Sequence, residues 1–230
     1  STLHGHLMKW LLSLFAASSI HGNSIPAGPL SISPEGKALI VEFETGGKGY
    51  YQKCLAKPSW PGGASGVTVG IGYDVGYNSA AQVKADWQAL PEGHRNALAS
   101  AAGIKGVAAK SRASALKWIV VPWETAETVF VANTMPRFGG YTSTAFPGIT
   151  GKHGHVQGAL LSIVFNRGAS MSGSSRTEMR AIRSYVAAGN IQPIPGQIRA
   201  MKQLWYGKGL DGLLRRRDAE ARLIERSFSP

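Results

Sequence analysis

Carboxylate side chains, which can donate or accept a proton in catalysis, are scarce in this chain, with only 13 Asp and Glu among 230 residues. Between positions 36 and 85 they are limited to Glu42, Glu44 and Asp74. Glu44 ends an apolar stretch before two glycines, where partial burial would favour its protonated form and keep a proton available for donation. Asp74 follows the segment Gly70-Ile71-Gly72-Tyr73, where the backbone can approach a ligand closely.

Two carboxyl groups at such positions suit the hydrolysis of a glycosidic bond. One protonates the departing oxygen, and the other activates water or attacks the sugar. The hydroxyl of Thr68 could hold that water in line. By composition and spacing alone the pattern has low specificity, because two carboxylates near a β-turn occur in many proteins.

Glu42 is the alternative acid. On a helix, positions i and i+2 point about 200° apart, so only one of Glu42 and Glu44 can face a given site. The Gly-Gly pair that follows Thr45 favours Glu44 and leaves Glu42 as a solvated surface charge.

The elements that must position these residues follow from apolar spacing and from helix-breaking residues. Ser33-Pro34-Glu35 is typical of a helix start, so we predict a helix that runs to Glu44 and ends at the glycines. Pro, Gly and β-branched residues over positions 50–77 predict a small, tightly turned sheet. Further helices are predicted over residues 80–90, from Pro122, and over 154–165, 177–188, 198–205 and 213–227. The order indicates an α+β fold.

The first 32 residues are predicted to lie outside the main domain, which we place at residues 33–230. Residues 8–19 have a basic start and a short apolar core, and we favour a short amphipathic helix over a signal peptide. Residues 22–34 are rich in Gly, Ser and Pro and are predicted to be a linker. Because the chain begins with Ser1 rather than Met, we expect it to be a piece of a larger protein.

The formal net charge of +12 and the sequence pI near 10 predict attraction to polyanions such as nucleic acid, anionic membrane surfaces or the acidic polymers of bacterial cell wall. No run of about 18 apolar residues is present, so no membrane-spanning helix and no stable membrane insertion are predicted. The basic residues are spread along the whole chain, which counts against a nucleic-acid-binding stripe.

Two groups of residues together resemble the phage-type lysozymes. One is Glu44-Thr45-Gly46-Gly47-Lys48-Gly49-Tyr50-Tyr51, followed by Thr68-Val69-Gly70-Ile71-Gly72-Tyr73. The other comprises residues 158–168, 200–205 and 212–220, which resemble the central and closing helices of that family. The resemblance covers about residues 34–228 and implies a two-lobed, lysozyme-like fold, with a small antiparallel sheet lobe and a larger helical lobe. It also implies peptidoglycan cleavage between N-acetylmuramic acid and N-acetylglucosamine.

The order of the candidate residues departs from the common phage enzymes, in which the catalytic Asp precedes the Thr. Here no Asp lies between Glu44 and Thr68, and Asp74 comes six residues after Thr68. This order resembles the pesticin-like branch, which comprises bacteriocin and toxin domains. It implies Glu44 as the acid, Asp74 as the base or electrostatic partner and Thr68 as the residue that positions water. It also implies inversion, with the carboxyl groups roughly 6.5–9.5 Å apart.

The resemblance extends to residues that orient the acid and bind glycan. It suggests that Arg216 or Arg217 pairs with Glu44, although the run Arg215-Arg216-Arg217 could be a solvated face, and Glu220 offers Arg216 an ordinary helix ion pair. Asn166 is expected to bind a sugar acetamido group or to cap its helix. Trp60 and Tyr73 are the expected aromatic contacts to substrate, and Trp205 is expected in the core.

No cofactor and no metal are predicted. His153 and His155 have no nearby carboxylates to complete a metal site, and Cys54, the only cysteine, is expected to be a small half-buried side chain. The expected partners are peptidoglycan strands and, for a toxin, an immunity protein. The expected place of action is the bacterial periplasm or cell wall, reached by phage lysis, a phage tail or a secretion system. The alternative is a peptidoglycan-binding module without activity.

Overall fold

The computed structural model describes residues 24–228 and is α+β: mostly helical, with small antiparallel sheets. The helix predicted over residues 8–19 lies outside the described residues. The described chain forms two compact units, one of residues 40–138 and one of residues 24–39 with 139–228. Within residues 24–228, no helix is long and apolar enough to cross a membrane.

The 40–138 unit contains the predicted sheet. Strands β3 (Thr68–Val69) and β4 (Tyr73–Asp74) pair antiparallel, with Thr68 opposite Asp74 and Val69 opposite Tyr73. Ser59 pairs with Thr68 on its other side as an isolated bridge. The helices that begin in this unit are α2 (Lys48–Tyr50), α3 (Ala80–Asp86), α4 (Glu92–Ala99), α5 (Val107–Ala115), α6 (Trp123–Val129) and α7 (Met135–Ala145).

Aromatic side chains fill the core of the 40–138 unit. Trp87 is fully buried and packs edge-to-face on Tyr73, with ring centroids 5.4 Å apart. Gly70 turns the chain between β3 and β4 with a φ of +58°, and a Cβ there would lie 2.6 Å from the Trp87 ring. The turn that joins the two strands therefore requires glycine both for its backbone conformation and for its space.

The other unit is built around α8 (Gly154–Arg167), whose residues from Val156 to Val164 are all buried, as expected for the predicted central helix. Helices α9 (Thr177–Ala187), α10 (Ile194–Ala200) and α11 (Asp211–Glu225) complete this unit. Helix α1 (Pro34–Thr45) begins in it, and the Ser33 hydroxyl caps α1 by accepting the Gly36 N–H at 3.0 Å, as the sequence predicts.

The prediction of a linker over residues 22–34 is wrong for residues 24–34, which the structure describes. Strands β1 (Ile25–Ala27) and β2 (Leu30–Ile32) form an antiparallel hairpin, and the Ser31 N–H donates to the Gln157 side chain of α8. Ala27, Leu30 and Ile32 are buried. The boundary predicted after residue 32 lies between β2 and α1, and the hairpin before it packs in the same unit as α8. Gly and Pro are as common in tight turns as in linkers, which explains the error.

Candidate active site

Ser59, Thr68 and Asp74 form a row across the small sheet. The Thr68 N–H donates to the Ser59 carbonyl at 2.8 Å, and the Ser59 N–H donates to the Thr68 carbonyl at 3.0 Å. Since the polar backbone groups of Thr68 face Ser59, Thr68 and Asp74 form a non-hydrogen-bonded pair, the kind in which opposite side chains lie closest. The sheet therefore holds the Thr68 hydroxyl and the Asp74 carboxylate side by side on one face.

The Asp74 carboxylate also ties two loops together. Its Oδ1 accepts the Gly76 N–H at 2.9 Å and the Gly66 N–H at 3.1 Å, and its Oδ2 accepts the Gly66 N–H at 2.9 Å. A Cβ at Gly66 would lie 2.4 Å from Asp74 Oδ1, so only glycine fits there. The half-buried carboxylate is thus held in a fixed orientation from two sides.

Burial raises the pKa of Asp74 above its ordinary value, because removal from water disfavours the charged form. The backbone N–H groups of Gly66 and Gly76 and the positive charge of Lys105 oppose this effect by stabilising the carboxylate, and they offset part of it. The site therefore holds a carboxylate that accepts a proton more readily than an ordinary aspartate.

Two aromatic side chains flank the loop that precedes β3. The Trp60 indole donates to the Ser65 carbonyl at 3.0 Å, and the Tyr77 hydroxyl donates to the Ala64 carbonyl at 3.2 Å. Trp60 is half-buried, so part of its ring remains exposed for the predicted sugar contact. Tyr77 is 61% exposed, with the Lys105 ammonium 3.9 Å from its ring centroid, and was not singled out from the sequence. Its place after a glycine in a turn is the signal that could have identified it.

Tyr73 does not have the predicted substrate-binding position. Its side chain is 2% exposed, and its hydroxyl donates to Asp86 Oδ2 at 2.7 Å. Neighbouring residues of a strand point to opposite faces. Since Asp74 lies on the face of Thr68, Tyr73 enters the core, and its role is structural.

Glu44 and Glu42 both lie in the last turns of α1 and are both half-buried. After Thr45, Gly46 and Gly47 adopt φ values of +65° and +86°, so the glycines end the helix as predicted. Burial raises the pKa of Glu42, and a Cβ at Gly47 would lie 3.3 Å from Glu42 Oε2. Glu42 is therefore not the fully solvated charge that the sequence suggested.

Arg216 and Arg217 of α11 are buried rather than solvated, at 3% and 0% exposure. Both approach Glu220, Arg216 through Nε at 3.4 Å and Arg217 through Nη2 at 2.8 Å. The predicted Arg216–Glu220 ion pair is thus confirmed. Ser162 donates to Glu220 Oε1 at 2.5 Å and links α8 to this cluster.

Asn166 lies in the last turn of α8 and is exposed, and its Oδ1 accepts from Arg217 Nη2 at 3.3 Å. The cap of α8 is Gly168, so the helix-cap alternative for Asn166 is wrong.

Trp205 is half-buried rather than a core residue, and the guanidinium groups of Arg167 and Arg217 lie 5.2 and 5.7 Å from its ring.

His155 and Cys54 complete the residues singled out from the sequence. The Nδ1 of His155 lies 2.8 Å from the Ser33 hydroxyl. Cys54 is exposed rather than half-buried. Over residues 24–228, no group of three or more His, Cys, Asp or Glu is arranged to hold a metal ion.

Comparison with known proteins adds no relative: no family model matches the chain, and no curated protein matches it. The resemblance to phage-type lysozymes therefore rests on the residues of this chain, above all on Glu44, Thr68 and Asp74 and their order. The sheet register of Thr68 and Asp74 is independent of that resemblance.

Proposed function

We propose that the protein is a peptidoglycan hydrolase of lysozyme-like fold, an N-acetylmuramidase that cleaves the β-1,4 bond between N-acetylmuramic acid and N-acetylglucosamine. The observation that carries this proposal is the direct cross-strand pairing of Thr68 and Asp74. A fixed carboxylate can take a proton from water, and a hydroxyl beside it can hold that water in place.

In the proposed reaction Glu44 protonates the departing glycosidic oxygen. Asp74 takes a proton from water while the Thr68 hydroxyl holds that water in line with the anomeric carbon, which gives inversion. A carboxylate has about four lone-pair sites. Three backbone N–H groups, those of Gly66, Gly76 and Tyr77, stabilise the Asp74 carboxylate, which leaves it capacity for one water molecule. The raised pKa of Asp74 favours its action as a base.

The charge of the chain supports an anionic polymer as substrate. The net charge of +12 attracts cell-wall polymers by long-range forces, and Lys105 adds a positive charge close to Asp74. Trp60 offers a partly exposed ring for stacking on sugar. We place the action in the bacterial cell wall or periplasm. We further predict that Arg216 or Arg217 orients Glu44 and that Asn166 binds an acetamido group of the substrate.

A peptidoglycan-binding module without activity is the second candidate, and one observation favours it. The Asp74 carboxylate accepts backbone N–H groups from both Gly66 and Gly76. An aspartate with that arrangement has a sufficient structural role as a clamp between two loops, whether or not it acts as a base.

The deciding experiment measures turbidity clearing and release of new reducing ends from purified peptidoglycan. The wild type is compared with Glu44→Gln, Asp74→Asn and, as the matched control, Glu42→Gln on the same helix. Asp74→Asn needs a fold check by thermal denaturation. An amide whose NH2 replaces Oδ1 would leave the Gly76 N–H without an acceptor, and one whose NH2 replaces Oδ2 would lose the shorter of the two bonds from the Gly66 N–H.

The proposal predicts that the wild type and Glu42→Gln release reducing ends, whereas Glu44→Gln loses about 10³-fold or more in rate, since a lost general acid alone accounts for about 10²–10⁴-fold. Loss of activity in Glu42→Gln with retention in Glu44→Gln would instead make Glu42 the acid. A folded wild type that binds peptidoglycan and releases no reducing ends would establish the binding module.

A further inference from the structure

The backbone of β4 is held by a closed ring of hydrogen bonds inside the 40–138 unit. Asp86 Oδ2 accepts from the Tyr73 hydroxyl at 2.7 Å and from Arg137 Nη2 at 2.8 Å. Arg137 Nη1 donates to Asn78 Oδ1 at 3.1 Å, and Asn78 Nδ2 donates to the Asp74 carbonyl at 2.8 Å. Tyr73 and Asp74 are consecutive residues, so the ring closes through one peptide bond.

This ring is buried enough to be rigid. Asp86 is 5% exposed and Tyr73 is 2% exposed. The side chain of Arg137, which forms the ion pair with Asp86, is 25% exposed. The second carboxylate oxygen of Asp86 accepts from Gln82 at 2.7 Å. Hydrogen bonds between charged groups in such an environment are stronger than those in water, and their geometry is fixed by the planar guanidinium fork.

We propose that Asp86, Arg137 and Asn78 are positioning residues that fix Asp74 for the proposed reaction. The inference rests on the proposed function for its catalytic meaning. None of the three is assigned to contact substrate. The ring fixes Tyr73 through its side chain and Asp74 through its carbonyl, and the Asp74 carboxylate is thereby held against the N–H groups of Gly66 and Gly76.

A physical consequence separates positioning from a purely structural role. If the Asp74 main chain is released, the hydrogen bonds from Gly66 and Gly76 lengthen. Those bonds lower the pKa of Asp74, so their weakening raises it further. A loss of general stability in the unit does not by itself change the proton affinity of Asp74 in the folded state.

The test variant is Asn78→Ala, which opens the ring at the bond to the Asp74 carbonyl. Its matched control is Asn133→Ala, because Asn133 Nδ2 likewise donates to a backbone carbonyl, that of Asp86, at 3.2 Å and outside the ring. Arg137→Gln is the stronger variant, but it leaves the buried Asp86 without its cation and tests the proposal only if it folds.

Two readouts are needed on the full chain: kcat and KM on purified peptidoglycan, and the titration of Asp74 by carbon-13 NMR of its carboxyl group. For Asn78→Ala we expect kcat to fall about tenfold with KM unchanged, and Asp74 to titrate at higher pH than in the wild type and in Asn133→Ala. Equal Asp74 titration and equal kcat in the two variants would overturn the proposal. If the wild type is inactive, the proposed function fails, and the NMR titration still decides whether the ring fixes Asp74.

Discussion

Thr68 and Asp74 stand directly opposite each other on β3 and β4, with Ser59 completing the row on the other side of Thr68. Directly opposite side chains in an antiparallel pair lie about 4.5–5.5 Å apart at Cβ. A hydroxyl and a carboxylate at that separation can share one water molecule. The register of two very short strands therefore determines whether the proposed water-activating pair exists.

Replacement of Thr68 by Val tests this pairing. Val keeps the β-branched shape that suits a strand but removes the hydroxyl, so we expect kcat to fall about 10²-fold with little loss of folding free energy. Thr68→Ser keeps the hydroxyl and should retain most of the activity. Reducing-end assays and thermal denaturation of both variants check the prediction. Full activity in Thr68→Val would remove Thr68 from the mechanism.

Replacement of Gly66 by Ala tests the clamp on Asp74. The added Cβ would lie 2.4 Å from Asp74 Oδ1 and 2.5 Å from the Gly76 Cα, so one of the two loops must move. We expect a loss of folding free energy of about 1–3 kcal/mol and a fall in activity. The control is Gly93→Ala in α4, where a Cβ meets nothing within 4 Å, and which should be neutral or slightly stabilising. Urea denaturation of both variants is the measurement, and equal stability would contradict the clamp.

The parts of the fold set by local chemistry could be predicted from the sequence. Helix α1 is an example, because the Ser33 cap and the glycines after Thr45 are local signals that act wherever the chain is placed. The alternation of side chains along a strand was also available. It places Tyr73 in the core once Asp74 is assigned to the site, in contrast to the substrate contact predicted for Tyr73.

Features set by distant packing could not be predicted in the same way. The hairpin of β1 and β2 has a linker-like composition and becomes recognisable only through its contact with Gln157 of α8. Arg216 is buried with a hydrogen bond to Ser162, 54 residues before it in the chain, and Arg217 is buried with one to Asn166, 51 residues before it. The ring through Asp86 and Arg137 joins residues 51 positions apart, and no sequence spacing indicates it.

The pH dependence of activity should report the environment of Asp74. As a base, Asp74 must be ionised, so activity rises as pH rises through its pKa, and this acidic limb should lie above the ordinary aspartate value of 3.8. Because the folded state then binds the proton more tightly than the unfolded chain, Asp74 makes folding less favourable as pH rises through the same window.

Lys105 provides the test of this electrostatic environment. Its positive charge lowers the pKa of Asp74 and opposes the effect of burial. Lys105→Gln should therefore move the acidic limb to higher pH, while Lys110→Gln, an exposed lysine on α5, should leave it in place. Added salt should shift the limb upward in the wild type more than in Lys105→Gln, since an exposed charge is screened. The measurement is the reaction rate as a function of pH for the three proteins at two salt concentrations. If the acidic limb of Lys105→Gln lies at the same pH as that of the wild type, its assignment to Asp74 is contradicted.

Two buried threonines of the 40–138 unit should respond oppositely to replacement by Val. Within the described residues the Thr134 hydroxyl is buried without a hydrogen-bond partner, so Thr134→Val removes an unsatisfied polar group at nearly constant volume and should stabilise the fold by about 1 kcal/mol. The Thr45 hydroxyl donates to the Val41 carbonyl at 2.7 Å and accepts the Gly47 N–H at 3.1 Å, so Thr45→Val should destabilise the fold by about 1–3 kcal/mol. Urea denaturation of the two variants measures both changes. Thr45 follows Glu44, and its hydroxyl holds the turn at Gly47, so Thr45→Val should also lower the proposed activity. Thr134→Val should leave that activity unchanged. Destabilisation by both variants would show that the Thr134 hydroxyl has a partner in solution.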